Sequence, residues 1–308
     1  MKIFSSLKSG LCSAFRSWKC VLIVWFSLFL LVLVFIYPLR GSLSSAFGSS
    51  MITEKLTDGF NVEVFADLGS TLKSLTSFFT AGFILVYFIG FVMNSFLTAG
   101  LFGSVRKENR KFSAQEFLRS ASKNFWSFLI ITLIIDVIIY FISGLFLALP
   151  LTLVDLSDTI SEKTIFTIII TAIVFYLLLL PVFLLVADYA RAWRSANENE
   201  SGFKAIGVGF NRTFKKFWSS YIMMALLILA QVTLGLVIII IIPGWKPTSG
   251  GGIFLLLIIS QLLLYARLLL KTWRYASVTS LMEETTKKIP ENINVIQDGQ
   301  ERSNYATG

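Results

Sequence analysis

The stretch Lys123-Asn124-Phe125-Trp126 returns later in the chain as Lys215-Lys216-Phe217-Trp218. Both copies stand where a basic, half-apolar segment runs into an apolar run of membrane-crossing length. A third, weaker copy, Phe15-Arg16-Ser17-Trp18, lies near the start. Working outward from these junctions gives one unit used three times. A basic amphipathic helix ends in aromatic residues, and a span follows that closes on proline: Pro38, Pro150 or Pro243. After a loop, a second span returns and ends in small and basic residues. The second and third returns end alike, in Ala192-Trp193-Arg194 and Thr272-Trp273-Arg274.

Composition agrees with a membrane chain. Of 308 residues, 55% are hydrophobic and 15% charged, and the mean hydropathy is +0.75. Soluble domains average about 45–50% apolar and about 25% charged residues. Apolar runs approaching or exceeding the ~20 residues that cross a bilayer cover residues 21–37, 75–102, 126–149, 164–189, 218–242 and 253–272. The expected fold class is all-α: a polytopic membrane protein with six transmembrane helices as three parallel two-helix repeats, about 1–104, 105–196 and 197–282. The first span is read as uncleaved and ending at Pro38, and Pro181 as a kink in the fourth. The polar loop 41–74 could hold a short helix or a strand around residues 61–65. Residues 283–308 are polar, carry Pro290 and are expected to form a disordered cytoplasmic tail.

The segments ahead of the spans have helical periodicity. Phe4, Leu7, Leu11, Phe15 and Trp18 follow a 3-4-4-3 spacing, and Phe203, Ile206, Phe210, Phe214 and Phe217 repeat it. Basic amphipathic helices of this kind lie in the headgroup region with the apolar face down. In the second unit, Ser113-Ala114-Gln115-Glu116 fits a capping box, and Ala114, Leu118, Ala121 and Phe125 share one side. The charge distribution sets the orientation. Only Arg40, Lys55, Lys73, Lys163 and Lys246, of 27 Lys and Arg, fall on the side opposite the termini and connectors. The positive-inside rule then puts both termini in the cytoplasm. With two spans per unit, every unit enters from the same face, around an axis along the membrane normal.

The net charge of +9 gathers beside the ends of apolar runs and forms no basic groove with exposed aromatics, which excludes nucleic acid as a partner. Histidine is absent, and with it the commonest general base and metal ligand. No phosphate-loop or dinucleotide fingerprint occurs. Cys12 and Cys20 give neither a disulfide framework nor metal spacing. No catalytic residue, metal site or cofactor is expected, and the chain reads as a non-enzyme.

Asp136 is the clear intramembrane charge. It lies ten residues past Trp126, or ~15 Å deep at 1.5 Å per residue. An aspartate there costs roughly 2.5–3.5 kcal/mol to insert. It is read either as a proton, cation or substrate contact, or as a polar staple bonded to Gln231, Gln261 or Asn94. The cations Arg191 and Arg194, beside Asp188, share a helix face, as do Arg267, Lys271 and Arg274. Together with Lys215 and Lys216 they are candidates for contacting lipid phosphates, against the simpler reading of long side chains snorkelling to the interface. Asp155, Asp158 and Glu162 could make a weak divalent-cation site on the outer face, but the expected reading is a solvated acidic loop.

The connector-to-span junctions at residues 202–218 and 112–126 resemble those of the membrane domain found beside some bacterial glycerophosphodiester phosphodiesterases, and of related uncharacterised bacterial multi-pass families. That resemblance implies a bacterial inner-membrane protein tied to lipid or envelope. It does not extend to the family's soluble phosphodiesterase barrel, and its histidine-dependent catalysis is impossible here. The expected partners are the bilayer, anionic lipid headgroups and other membrane proteins. Two functions follow as expectations: a non-enzymatic protein binding lipid or partners at the cytoplasmic surface, or a transporter or channel for a small solute or lipid that uses Asp136.

Overall fold

A computed structural model describes residues 2–47, 69–106, 113–150, 152, 161–244 and 249–286. Every element among them is helical. Helix α1 covers Lys2–Arg16, α2 Trp18–Phe47, α3 Gly69–Val105, α4 Ala114–Ser143 and α5 Glu162–Ala196. Then follow α6 over Gly202–Lys215, α7 over Phe217–Gly244 and α8 over Gly250–Thr286. Six of these, α2, α3, α4, α5, α7 and α8, are long and apolar enough to cross a membrane. The chain is an all-α polytopic membrane protein.

The helix ends have local causes. Ser113 caps α4 by accepting from the Glu116 amide, and Ser201 caps α6 by accepting from the Lys204 amide, each satisfying an amide that the first turn leaves open. The entry helices α1 and α6 break from their spans at Ser17 and Lys216, whereas the second entry segment and its span form the single helix α4. The proline reading needs correction. Helix α2 runs through Pro38 and ends at Phe47. One missing N–H costs one hydrogen bond, whereas unwinding in hydrocarbon would strand many backbone groups. Helix α4 passes into a π-helical turn at Gly144–Ala148 and stays helical through Pro150. Pro150 is the last residue of that described stretch, and Pro243 falls one residue before the last of α7. Pro181 lies inside α5, and the Tyr221 hydroxyl of α7 donates to the Leu178 carbonyl in the turn before it (3.1 Å). The last helix takes in residues 283–286, so the expected tail begins no earlier than residue 287. Residues 287–308, the loop at 61–65 and the acidic residues Asp155 and Asp158 lie outside the described residues.

The three entry segments pack in the same way, each against the return helix that precedes it around the bundle. The start of α4 lies on α3, and α6 lies on α5. Helix α1, at the other end of the sequence, lies on α8. Small residues allow this close approach. A Cβ at Gly10 would sit 2.7 Å from the Ser277 Cα, and one at Gly209 would sit 2.6 Å from the Val186 carbonyl oxygen. Ser120 of α4 donates to the Ala99 carbonyl across the third junction (3.1 Å).

The buried and exposed faces of the entry helices follow from that packing. Ser6, Gly10, Ser13 and Ala14 are the buried face of α1, and Gly202, Ala205, Gly209 and Thr213 that of α6. Several large residues of the periodic pattern point outward instead, Phe4, Phe15, Trp18, Phe203 and Phe214, as does the neighbouring Trp218, all 46–75% exposed. Leu7, Ile206 and Phe210, by contrast, pack against the buried clusters. In α4 the buried side is Phe117, Ser120, Ala121 and Asn124, while Leu118 is exposed. The core is built from Val21, Leu101, Phe102, Phe128, Leu185, Met223, Met224 and Tyr275.

Candidate functional site

Charged side chains concentrate where the return helices α3, α5 and α8 meet. Each of these helices carries a polar residue, then a small one, then an aromatic one: Asn94-Ser95-Phe96, Arg191-Ala192-Trp193 and Lys271-Thr272-Trp273. The small residues Ser95, Ala192 and Thr272 are each 0% exposed. The aromatic residues mark the junctions to the entry helices. Phe96 meets Phe125 of α4 edge-on at 6.1 Å. Trp193 joins Ile206 and Phe210 of α6 in one cluster, and Trp273 Nε1 donates to the Leu7 carbonyl of α1 (2.9 Å). The sequence pattern finds the second and third of these sets through their Trp-Arg pairs. It misses the first, where Phe96 and Leu97 replace them.

The polar residues face a shared interior. Lys271 Nζ donates to Asn94 Oδ1 (2.8 Å). Asp188, fully buried, holds two guanidiniums. Arg191 Nη1 donates to its Oδ1 at 3.3 Å, and Arg274 Nε stands 2.9 Å from its Oδ2 as an ion pair without hydrogen-bond alignment. Arg191 Nη2 also donates to Thr132 Oγ1 on α4 (3.0 Å). Arg274 stacks 5.2 Å over the Tyr275 ring, with Lys271 at 5.8 Å, and Tyr275 packs on Phe102 at 4.6 Å. Arg191 Nε is buried with no hydrogen-bond partner.

Arg194 is bound differently. Its Nη1 donates to Asn124 Oδ1 (2.8 Å) and the Asn197 carbonyl (3.1 Å), and its Nε donates to Ser127 Oγ (2.9 Å). A planar guanidinium fork suits such a set of fixed oxygens, and here it ties α5 to α4. Outside the spans, Lys123 pairs with Glu198, and this hydrogen bond holds the Glu198 carboxyl below the usual carboxylate range.

Several expectations change on these positions. Arg191, Arg194 and Arg274 are buried, so they do not snorkel to the interface; paired or hydrogen-bonded, they can be held in the interior. Lys215, Lys216 and Arg267 are exposed. The staple reading of Asp136 fails as well. The carbonyl oxygens of Asn94 and Gln261 accept from Lys271 Nζ and from Trp25 Nε1 (3.1 Å), and Gln231 Nε2 is buried without a hydrogen-bond partner. The Asp136 side chain is exposed, within electrostatic reach of Arg191 and Lys271 and hydrogen-bonded to none of the three amides.

No family model matches the chain, and no characterised protein or solved structure matches it either.

What the site can do chemically follows from its own side chains. Among the described residues no cluster of Cys, Asp and Glu could hold a metal ion. The interior instead offers guanidinium and ammonium donors in a low-dielectric setting, where charge recognition is strong. Away from it, an apolar groove of about 490 Å³ opens between α2 and α8, lined by Trp18, Leu22, Trp25, Phe29, Ile258 and Tyr265 among others.

Proposed function

We propose that this is a non-enzymatic protein of the bacterial cytoplasmic membrane that binds lipid, and partner membrane proteins, through its cytoplasmic surface. The observation that carries this reading is the outward face of the entry helices. Phe203, Phe214 and Trp218 stand exposed on and beside α6, next to exposed Lys204, Lys215 and Lys216. Apolar rings beside lysines are what the headgroup boundary accepts. Helix α1 and the first residue of α2 offer Phe4, Phe15 and Trp18 beside Lys8 and Arg16 in the same manner. The apolar groove between α2 and α8 adds a surface suited to an acyl chain. The basic connectors favour cytoplasmic termini, and the likeness of residues 202–218 and 112–126 to bacterial membrane domains supports a place in the envelope.

The peptide of residues 202–218 tests the reading. It is expected to become helical on anionic vesicles and to lose affinity as salt rises, because attraction by Lys204, Arg212, Lys215 and Lys216 is screened. Salt-independent binding to neutral vesicles would leave only the apolar face and remove anionic lipid from the reading.

A second reading, transport of a small solute or lipid, rests on Asp136. An exposed carboxylate at membrane depth beside Arg191 and Lys271 is the kind of residue that marks a polar pathway.

A further inference from the structure

The interior charges do not balance. Asp188 spends both carboxylate oxygens on Arg191 and Arg274, so that trio keeps one positive charge. Lys271 adds a second; its hydrogen bond goes to the neutral Asn94 amide and its other contact is the Tyr275 ring. Asp136 is oppositely charged and near, yet it forms an ion pair with neither Arg191 nor Lys271. The donors are not exhausted either. Arg191 Nε is buried without a partner although Arg191 is only 7% exposed, and an ammonium has three N–H groups, of which Asn94 takes one. Arg194 shows what a purely structural cation looks like in this protein, with Nε and Nη1 both spent on Ser127, Asn124 and Asn197.

We propose that Arg191 and Lys271, where the return helices α5 and α8 meet, bind an anionic oxygen group, a phosphate or carboxylate. The bound group takes the spare donors of the two cations and supplies the negative charge that the interior lacks. Asp136, within electrostatic reach of both cations, repels the same group, so it lowers the affinity from outside the contact and favours release. The site is separate from the lipid-facing entry helices. Two sources could supply this chemistry, the headgroup of an anionic phospholipid or a free anion.

Full-length protein in phosphatidylcholine nanodiscs tests the site, with the thermal unfolding midpoint followed against inorganic phosphate, and in parallel against a rising fraction of phosphatidylglycerol. The parent protein is expected to gain stability from at least one of the two probes: phosphate identifies a free anion, phosphatidylglycerol alone a lipid headgroup. Lys271→Gln keeps a donor for Asn94 but removes the charge, and should weaken the midpoint dependence by about tenfold in probe concentration, the scale of a lost charged hydrogen bond. Asp136→Asn should move it the other way, to several-fold lower concentration, because a repelling charge is gone. The surface pair Lys215→Gln with Lys216→Gln should leave the phosphate response unchanged, and in phosphatidylglycerol discs the Lys271→Gln effect should persist on top of it. A parent protein indifferent to both probes would overturn the proposal. So would Lys271→Gln lowering the midpoint while leaving the probe dependence intact, or Asp136→Asn failing to tighten it.

Discussion

Asp188→Asn is expected to destabilise the folded protein by about 3–5 kcal/mol, the cost of breaking a buried ion pair from one side. The substitution keeps the shape and removes the charge. Arg191 and Arg274, each 7% exposed, would then share a site with no anion between them. Neither can escape to water, since Arg191 is also held by Thr132 and Arg274 lies on the Tyr275 ring. The loss should appear as a collapsed yield of monodisperse protein and a lowered unfolding midpoint in detergent. Adding Arg274→Met removes one of the two stranded charges and fills its volume, so the double variant should regain much of the loss. Such recovery is expected because the three groups act as one network and their effects do not add. An Asp188→Asn protein as stable as the parent would mean that the carboxylate does not hold the return helices together.

The second large effect lies at the helix junctions. Gly10→Ala and Gly209→Ala should each cost about 1–3 kcal/mol, the usual range for overpacking a tight contact. At both positions the new methyl group meets backbone: Ser277 Cα in one case, the Val186 carbonyl in the other. Backbone of a packed spanning helix gives way poorly. Gly207 is a control on the same helix as Gly209, with nothing within 4 Å of its Cβ position. Gly207→Ala should therefore stabilise α6 by roughly 0.5–1 kcal/mol, the helix-interior difference between the two residues. Equal midpoints for the two α6 variants would contradict the packing of α6 on α5.

The six spans were legible because apolar length and flanking charge are strong one-dimensional signals. The entry helices were legible from the Phe4-to-Trp18 and Phe203-to-Phe217 spacing. Which face they bury was not, because periodicity of large apolar residues normally marks a core. In a bilayer the aromatic ones at the rim, such as Phe4 and Phe203, can face lipid, and Gly10, Gly209 and Ala205 make the closest protein contact beside Leu7, Ile206 and Phe210. Proline misled for a related reason, since Pro38 interrupts one hydrogen bond without ending α2. The interior site was half visible. Arg191, Arg194, Lys271 and Arg274 stood out as cations at the ends of spans, but the burial of Arg191 and Arg274 depends on Asp188 reaching Arg274 from another helix, a pairing without local signature. Asn94, as an amide in an apolar run, pointed toward Asp136, yet Lys271 reaches it first.

The account rests on three hairpins that enter the membrane from one face, and cysteine accessibility tests this most directly. Cys12 is exposed and Cys20 buried. With Cys20→Ser throughout, and Cys12→Ser as well except where native Cys12 is the probe, single cysteines are placed in turn at Cys12, at Ser122→Cys and at Asn211→Cys, one exposed position on each entry segment; Ser157→Cys probes the connection between α4 and α5. A membrane-impermeant thiol reagent applied to intact cells should label position 157 and spare positions 12, 122 and 211, which should all react once the membrane is opened. Labelling of any one of those three in intact cells, with the others protected, would contradict the parallel arrangement of the hairpins.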